Sequence, residues 1–269
     1  MTEPLIQVRG LHRTYRRTRT SLLRSGAEIP ALRELSFDIA AGQRFGVVGE
    51  SGSGKSTLVR LLAALDKPTA GSIRFQGKEI TGLPERRLGF LRRELQLVFQ
   101  DPMGSLNPRL RVGDIISEPL VVQGIPGRKE RVAELLAAVG LPVDAADGYP
   151  HQFSGGQRQR ISIARALAPK PSVLIADEPV SALDVSVRAQ ILNLLDDLVR
   201  QYALTLVFVS HDLGVVRHVC DTVAVLRRGE LVELGPVATV YGAPQQDYTA
   251  GLIAAAPSLA RSLARFDPE

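Results

Sequence analysis

The stretch Gly49-Glu50-Ser51-Gly52-Ser53-Gly54-Lys55-Ser56-Thr57 sets glycines around a lysine that is followed at once by two hydroxyls. Its spacing is G-x-x-x-x-G-K-S/T, that of a loop that cradles phosphates. Glycine lets the backbone curl until consecutive N–H groups face one anion, and a helix starting there adds its positive dipole end. Lys55 then reaches β- and γ-phosphates, and the Ser56 hydroxyl is a ligand for Mg²⁺. A plain glycine-rich turn is the alternative reading. A second candidate is Val173-Leu174-Ile175-Ala176-Asp177-Glu178-Pro179, an apolar run that ends in two acids. Asp177 is suited to holding Mg²⁺, directly or through water, and Glu178 to orienting or deprotonating an attacking water. Taken alone, such a pair is more often the start of a solvated loop.

Both candidates require strands that end at them. The runs Arg44 to Val48, Ser172 to Ala176, Leu204 to Val209 and Thr222 to Leu226 predict strands, separated by stretches of helical spacing. That alternation predicts a mainly parallel sheet covered by helices, whose ligands bind at the carboxyl ends of the strands. Leu58, Val59, Leu61 and Leu62 predict a helix after the glycine loop. Ile191, Leu194 and Leu195 predict another over Val187 to Leu198, with Ser186 as its cap. From Gln100 to about Arg160 strand signals fade and Pro102, Pro108, Pro119, Pro126, Pro142 and Pro150 divide short segments. Within them Val132, Leu135, Leu136 and Val139 predict an amphipathic helix stopped by Gly140. The expected organisation is a core of residues 1–99 and 161–240, an inserted helical lobe of 100–160 and a C-terminal extension of 241–269. That extension is expected to be a short helix from Ala250 onward, with Ala254, Ala255, Ala256 and Leu263, fraying near Asp267.

Composition bounds the rest. The 269 residues are 45% hydrophobic and 23% charged, enough for a sizeable core, and 33 basic against 28 acidic residues leave a net charge of +5. The positives cluster only between Arg13 and Arg24 and around Arg86, Arg87, Arg92 and Arg93. This fits a solvated surface as well as a nucleic acid or an anionic membrane. Cys220 is the one cysteine, which excludes an internal disulfide and a multi-thiolate metal site. No run is long and apolar enough to span a bilayer and residues 1–10 lack a signal-peptide core, so a cytosolic or peripheral chain is expected.

Phe153-Ser154-Gly155-Gly156-Gln157-Arg158-Gln159-Arg160 decides between families. It resembles the signature motif of ABC (ATP-binding cassette) ATPases. The resemblance implies an α/β fold: a P-loop NTPase (RecA-like) core with an antiparallel β subdomain and an inserted α-helical signature subdomain. It also implies that Ser154, Gly155, Gly156 and Gln157 close over the γ-phosphate of an ATP held by a second subunit. Other segments fall in the family's order. Gln100 resembles the Q-loop glutamine, which senses Mg²⁺ and the attacking water. Ser181-Ala182-Leu183-Asp184 resembles the D-loop that crosses the dimer interface. His211 resembles the switch histidine on the γ-phosphate, and Tyr15 the adenine-stacking aromatic.

Gln100-Asp101-Pro102-Met103-Gly104-Ser105-Leu106-Asn107-Pro108-Arg109, Val112-Gly113 and Glu118-Pro119-Leu120 are similar to ATPases of peptide and nickel importers, as is Tyr248-Thr249-Ala250-Gly251-Leu252 with Pro257. Gln246 and Asp247 depart from that branch, which usually has His-Pro there. The branch implies ATP and Mg²⁺ as cofactors, an identical or sister ATPase as dimer partner, and membrane permease subunits whose coupling helix meets Ser105 to Arg109. An extracytoplasmic solute-binding protein is implied indirectly, with the chain at the cytoplasmic membrane face and no nucleic acid. Arg128, Lys129 and Arg131 are read as the solvated face of their helix. A soluble ABC ATPase acting on ribosomes or DNA is the rival. It ordinarily carries coiled-coil arms or two cassettes in one chain, and neither is present. A P-loop kinase leaves Ser154 to Gln157 without a purpose.

Overall fold

Residues 3–16 and 28–255 are described by a computed structural model. They fall into two compact units, Met1–Leu83 with Phe208–Glu269, and Pro84–Val207. The first unit opens with alternating strands. In β1 (Ile6–Arg16) Ile6, Val8 and Leu11 are buried and Arg9 is exposed; β2 (Glu28–Ile39) buries Leu32, Leu35, Phe37 and Ile39 against it. The alternation breaks between Val8 and Leu11, where Gly10 adopts φ 52° and the register shifts by a bulge. Then β3 (Arg44–Val48), nearly all buried, leads through the glycine loop into α1 (Lys55–Leu62). The strands β4 (Ala70–Phe75) and β5 (Lys78–Glu79) complete an antiparallel sheet in the order β2-β1-β4-β5. The rings of Phe37 and Phe45 stack with centroids 5.2 Å apart, joining β2 to β3.

The second unit begins with α2 (Gly89–Glu94) and β6 (Leu95–Val98), followed only by helical elements until β7: α3 (Pro102–Ser105), α4 (Val112–Val122), α5 (Arg128–Ala138) and α6 (Gly155–Leu167). Pro119 lies inside α4 rather than between segments. A proline there removes a helix hydrogen bond, and the buried Val112, Ile115, Ile116 and Leu120 hold the helix together against that loss. Gly140 at φ 69° ends α5 as its spacing predicts, with the Leu141 N–H donating to the Leu136 carbonyl in a Schellman-type closure. Arg131 corrects the reading of a solvated face. It is 7% exposed because its guanidinium donates to the carbonyls of Leu167 (2.7 Å) and Ala168 (3.2 Å), capping the end of α6. The buried strand β7 (Val173–Asp177) pairs in parallel with β6, then α7 (Val185–Gln201) follows. Its N-cap is Asp184 rather than Ser186, and that carboxylate makes no side-chain capping bond.

The chain re-enters the first unit within β8 (Thr205–Ser210) and continues as α8 (Leu213–Val219), β9 (Thr222–Arg227), β10 (Glu230–Pro236), α9 (Val237–Gly242) and α10 (Asp247–Ala255). β9 runs parallel to β3 and antiparallel to β10. Cys220 is buried, and burial pushes its thiol pKa up, as expected of an inert core cysteine. The expected tail helix is α10; Ala256, Pro257, Leu263 and Asp267 lie outside the described residues, as does most of the Arg13 to Arg24 cluster. No helix among the described residues is long and apolar enough to cross a membrane.

Candidate functional site

The glycine loop is shaped by its neighbours in the first unit. Gly49, Gly52 and Gly54 all have positive φ (153°, 78° and 108°). At Gly49 a Cβ would meet the Leu226 carbonyl at 2.2 Å, and at Gly54 the Ala31 carbonyl at 2.6 Å, so backbone approaches from β9 and from β2 forbid side chains there. The backing is a two-residue hairpin turn between β9 and β10, with Arg228 and Gly229 both left-handed. Gly229 donates its N–H to the Ser53 carbonyl (2.9 Å) and accepts from the Arg33 N–H (2.7 Å). No sequence signal tied that turn, some 175 residues downstream by simple numbering, to the loop it supports.

Lys55 is buried, and its ammonium donates to the carbonyls of Gly49 (2.7 Å) and Glu50 (2.9 Å), which draws the loop around it. Ser56 is exposed in the first turn of α1, Thr57 is half-buried, and Glu50, Ser51 and Gly52 line the open rim. The Ser53 hydroxyl is buried without a protein partner among the described residues. A positive ammonium, inward-curled backbone and an orphaned hydroxyl fit a polyphosphate.

Tyr15 and His211 belong to the same unit. The Tyr15 hydroxyl donates to Asp66 (2.8 Å), and the Arg13 guanidinium lies 4.4 Å above the Tyr15 ring while also bonding Asp66 (2.9 Å). Burial works to raise the Asp66 carboxyl, but the Tyr15 hydroxyl, the Lys67 N–H and the Arg13 and Arg60 charges outweigh it and leave its pKa below the usual range. The ring is thus anchored at its hydroxyl and covered on one face by a cation. His211 is exposed just after β8, and the next residue, Asp212, caps α8 by accepting from the N–H groups of Gly214 (2.9 Å) and Val215 (3.3 Å).

The remaining candidates lie in the second unit. Buried Val173 to Ala176 carry Asp177 to the end of β7, where Asp177 and Glu178 are both half-buried. Hard carboxylate and hydroxyl oxygens, as at Asp177 and Ser56, are the donor chemistry Mg²⁺ takes. Glu178 stands at φ 46°, a left-handed conformation that residue types alone gave no reason to expect. Gln100 is exposed in the turn after β6, beside Phe99, which is 41% exposed. Past it the buried Leu106 anchors the segment to Arg109, and the Arg165 guanidinium of α6 donates to the Ser105 carbonyl (2.5 Å). Burial lowers the Arg165 pKa, with the charge of Glu118 opposing it.

Ser154 is the N-cap of α6. Its hydroxyl accepts from the Gln157 N–H (3.3 Å) and the Gln157 side chain accepts from the Ser154 N–H (2.9 Å). This capping box was readable from the Ser-x-x-Gln spacing. The first-turn N–H groups of Gly155 and Gly156 lie beyond the reach of the helix's own carbonyls, at a helix end where Ser154 is exposed, Gly155 half-buried and Gly156 buried. Gly156 has no room for a side chain, since a Cβ would stand 2.5 Å from Val187 Cγ1 of α7. Of the D-loop candidates, Ala182 and Asp184 are exposed, Ser181 and Leu183 half-buried.

An α/β fold whose glycine loop clasps a lysine and passes straight into a helix defines a P-loop nucleotide-binding protein. The further Ser-Gly-Gly turn at the start of a long helix narrows the class, and the chain belongs to the ABC transporter family, which it matches over residues 32–181. It is an ATP-binding, ATP-hydrolysing member. It is 48% identical over 262 residues to a Brucella ovis ATP-binding protein named for peptide import, covering 96% of this chain and 80% of that one. The di/tripeptide transport ATP-binding protein DppF of Pseudomonas aeruginosa is 46% identical over 260 residues, with the same two coverages of 96% and 80%. Among solved structures, a dimeric ATP-binding cassette in a post-hydrolysis state bound to ADP and Pi superposes with a TM-score of 0.75 at 31% identity, covering 86% of this chain and 98% of that one.

Proposed function

We propose that this chain is the ATPase subunit of an importer of di- or oligopeptides or a related small solute or metal such as nickel. It acts as one half of a dimer, at the cytoplasmic face of a membrane, on separate permease subunits supplied by an extracytoplasmic solute-binding protein. The single observation that carries the reading is the Ser154 turn. A second helix N-terminus of anion-binding type, boxed by Gln157 and about a hundred residues along the chain from the Lys55 loop, suits a nucleotide gripped from two molecules. The relatives named for peptide import favour the cargo class.

In this reading the N–H groups of residues 49–57 cradle the β- and γ-phosphates and Lys55 neutralises them, while Tyr15 stacks on adenine through the face Arg13 leaves open. Ser56, Asp177 and Gln100 would hold Mg²⁺, which would offset the negative charge of the phosphates. Glu178 accepts the proton of the attacking water, and His211 donates to the γ-phosphate. Across the interface Ser154, Gly155, Gly156 and Gln157 of the other molecule complete the cage, with Ser181 to Asp184 between the two. The core of 1–99 and 161–240 then works against a lobe of 100–160, followed by the extension 241–269. Residues 105–109 receive the permease, so closing and reopening the dimer moves the membrane helices.

Glu178→Gln keeps shape and hydrogen bonding but removes the base. Phosphate release should fall on the order of 100-fold or more while ATP affinity stays within a few-fold. Turnover near the native rate overturns the catalytic assignment.

A further inference from the structure

Glu178 sits where an amino acid with a side chain is rarely found, at φ 46°, and it immediately precedes Pro179. The proline closes off the right-handed helical region for the residue before it, so an extended backbone is the default for Glu178. Something must hold the left-handed alternative in place. Within this unit the carbonyl of Glu178 receives two hydrogen bonds from one residue, the Ser181 N–H at 3.3 Å and the Ser181 hydroxyl at 3.0 Å. Pro179 takes the second position of the resulting turn, where its fixed φ is favoured. A further bond from the Leu183 N–H to the Val180 carbonyl (3.3 Å) continues the tight path towards α7.

The direction of a carboxylate depends on this clamp. Successive side chains of an extended strand leave on opposite faces, so Glu178 in regular continuation of β7 would be directed away from Asp177. A left-handed residue breaks that alternation. Two neighbouring acids can then serve one strand end instead of two faces.

We propose that Ser181 is a positioning residue for ATP hydrolysis. Its hydroxyl holds the Glu178 carbonyl and so fixes the left-handed backbone that aims the Glu178 carboxylate. The inference rests on the reading of Glu178 as the residue that activates water, and adds a role for Ser181 that a D-loop spanning an interface does not require. It acts within its own molecule.

The test compares Ser181→Ala, Ser181→Thr and Glu178→Gln in the full chain with Mg²⁺ and ATP. Ser181→Ala keeps the N–H bond and loses the hydroxyl bond, so kcat should fall by roughly 10-fold with KM for ATP within about twofold. Ser181→Thr retains the hydroxyl and should recover most of the loss. A Ser181→Ala kcat within about twofold of native, an equal loss in Ser181→Thr, or a loss that falls on KM rather than kcat would each overturn the proposal. Native-rate hydrolysis by Glu178→Gln defeats the catalytic reading itself, whereas an inactive Glu178→Gln beside a native-like Ser181→Ala defeats the clamp alone.

Discussion

Arg131 places a cation at the C-terminal end of the helix that Ser154 begins. Its guanidinium serves the Leu167 and Ala168 carbonyls, pairs with Glu134 at 2.5 Å, and lies 5.7 Å from the Tyr202 ring. The α6 end is where orphan carbonyls and the negative end of the helix dipole coincide, which is why a cation is stable there despite burial. Arg131→Met fills similar volume but leaves both carbonyls short of a donor. It should cost about 1–3 kcal/mol, seen as a lower denaturant midpoint at unchanged m-value. Sequence spacing placed Arg131 beside Arg128 and Lys129 on one helix and gave no reason to separate it from them. Only the packing of α5 on α6 distinguishes a buried capping arginine from a solvated one.

Among elements, α6 is the one whose placement matters most to the proposed chemistry. It is tied at three points within its unit: by Arg131 at its end, by Arg160 donating to the Val139 carbonyl (2.7 Å), and by Arg165 donating to the Ser105 carbonyl. Its first turn rests on α7, where Gly156 leaves just enough space for Val187. Gly156→Ala forces a methyl into that contact and should destabilise the fold by about 1–3 kcal/mol, with a loss of ATPase activity as the signature turn shifts. Adding Val187→Ala reopens the space. Thermal unfolding of the two single variants and the double should therefore show strong favourable coupling; additive losses would mean that the contact is slack. The strands expected from Arg44 to Val48 and Thr222 to Leu226 stand within a residue of those bounds, and the helix read from Val132, Leu135, Leu136 and Val139 runs from Arg128 to Ala138, ending before Gly140. Long apolar runs and a terminating glycine are local signals that burial reinforces. By contrast β1, β2 and β4 carry mixed polar faces or bulges and pair across long stretches of sequence, Ile6 standing opposite both Ile39 and Phe75.

For the molecule as a whole, the proposed function turns on association. With Glu178→Gln to slow turnover, saturating Mg²⁺ and ATP should convert monomer to dimer in sedimentation, alone or with a sister ATPase. Ser154→Arg adds a bulky side chain at the exposed helix end and should abolish that dimer while leaving ATP binding by the Lys55 loop within a few-fold. A dimer that survives Ser154→Arg would remove the signature turn from the interface.

The sequence alone determined the chemistry on offer: a glycine loop with Lys55 and Ser56, an acidic pair after an apolar strand, and a serine-glycine turn at a helix start, in the order of one family. Such motifs are legible because their work is done by backbone geometry and a few side chains adjacent in the chain. Tertiary structure decided what those segments rest on: the Arg228-Gly229 turn behind the loop, the left-handed bend at Glu178, the arginine under α6 and the seat of Tyr15 on Asp66. These depend on hydrogen-bond acceptors and excluded volume contributed from elsewhere in the chain. A residue's own type and its immediate neighbours hold no record of which distant carbonyl will face it once the core has closed.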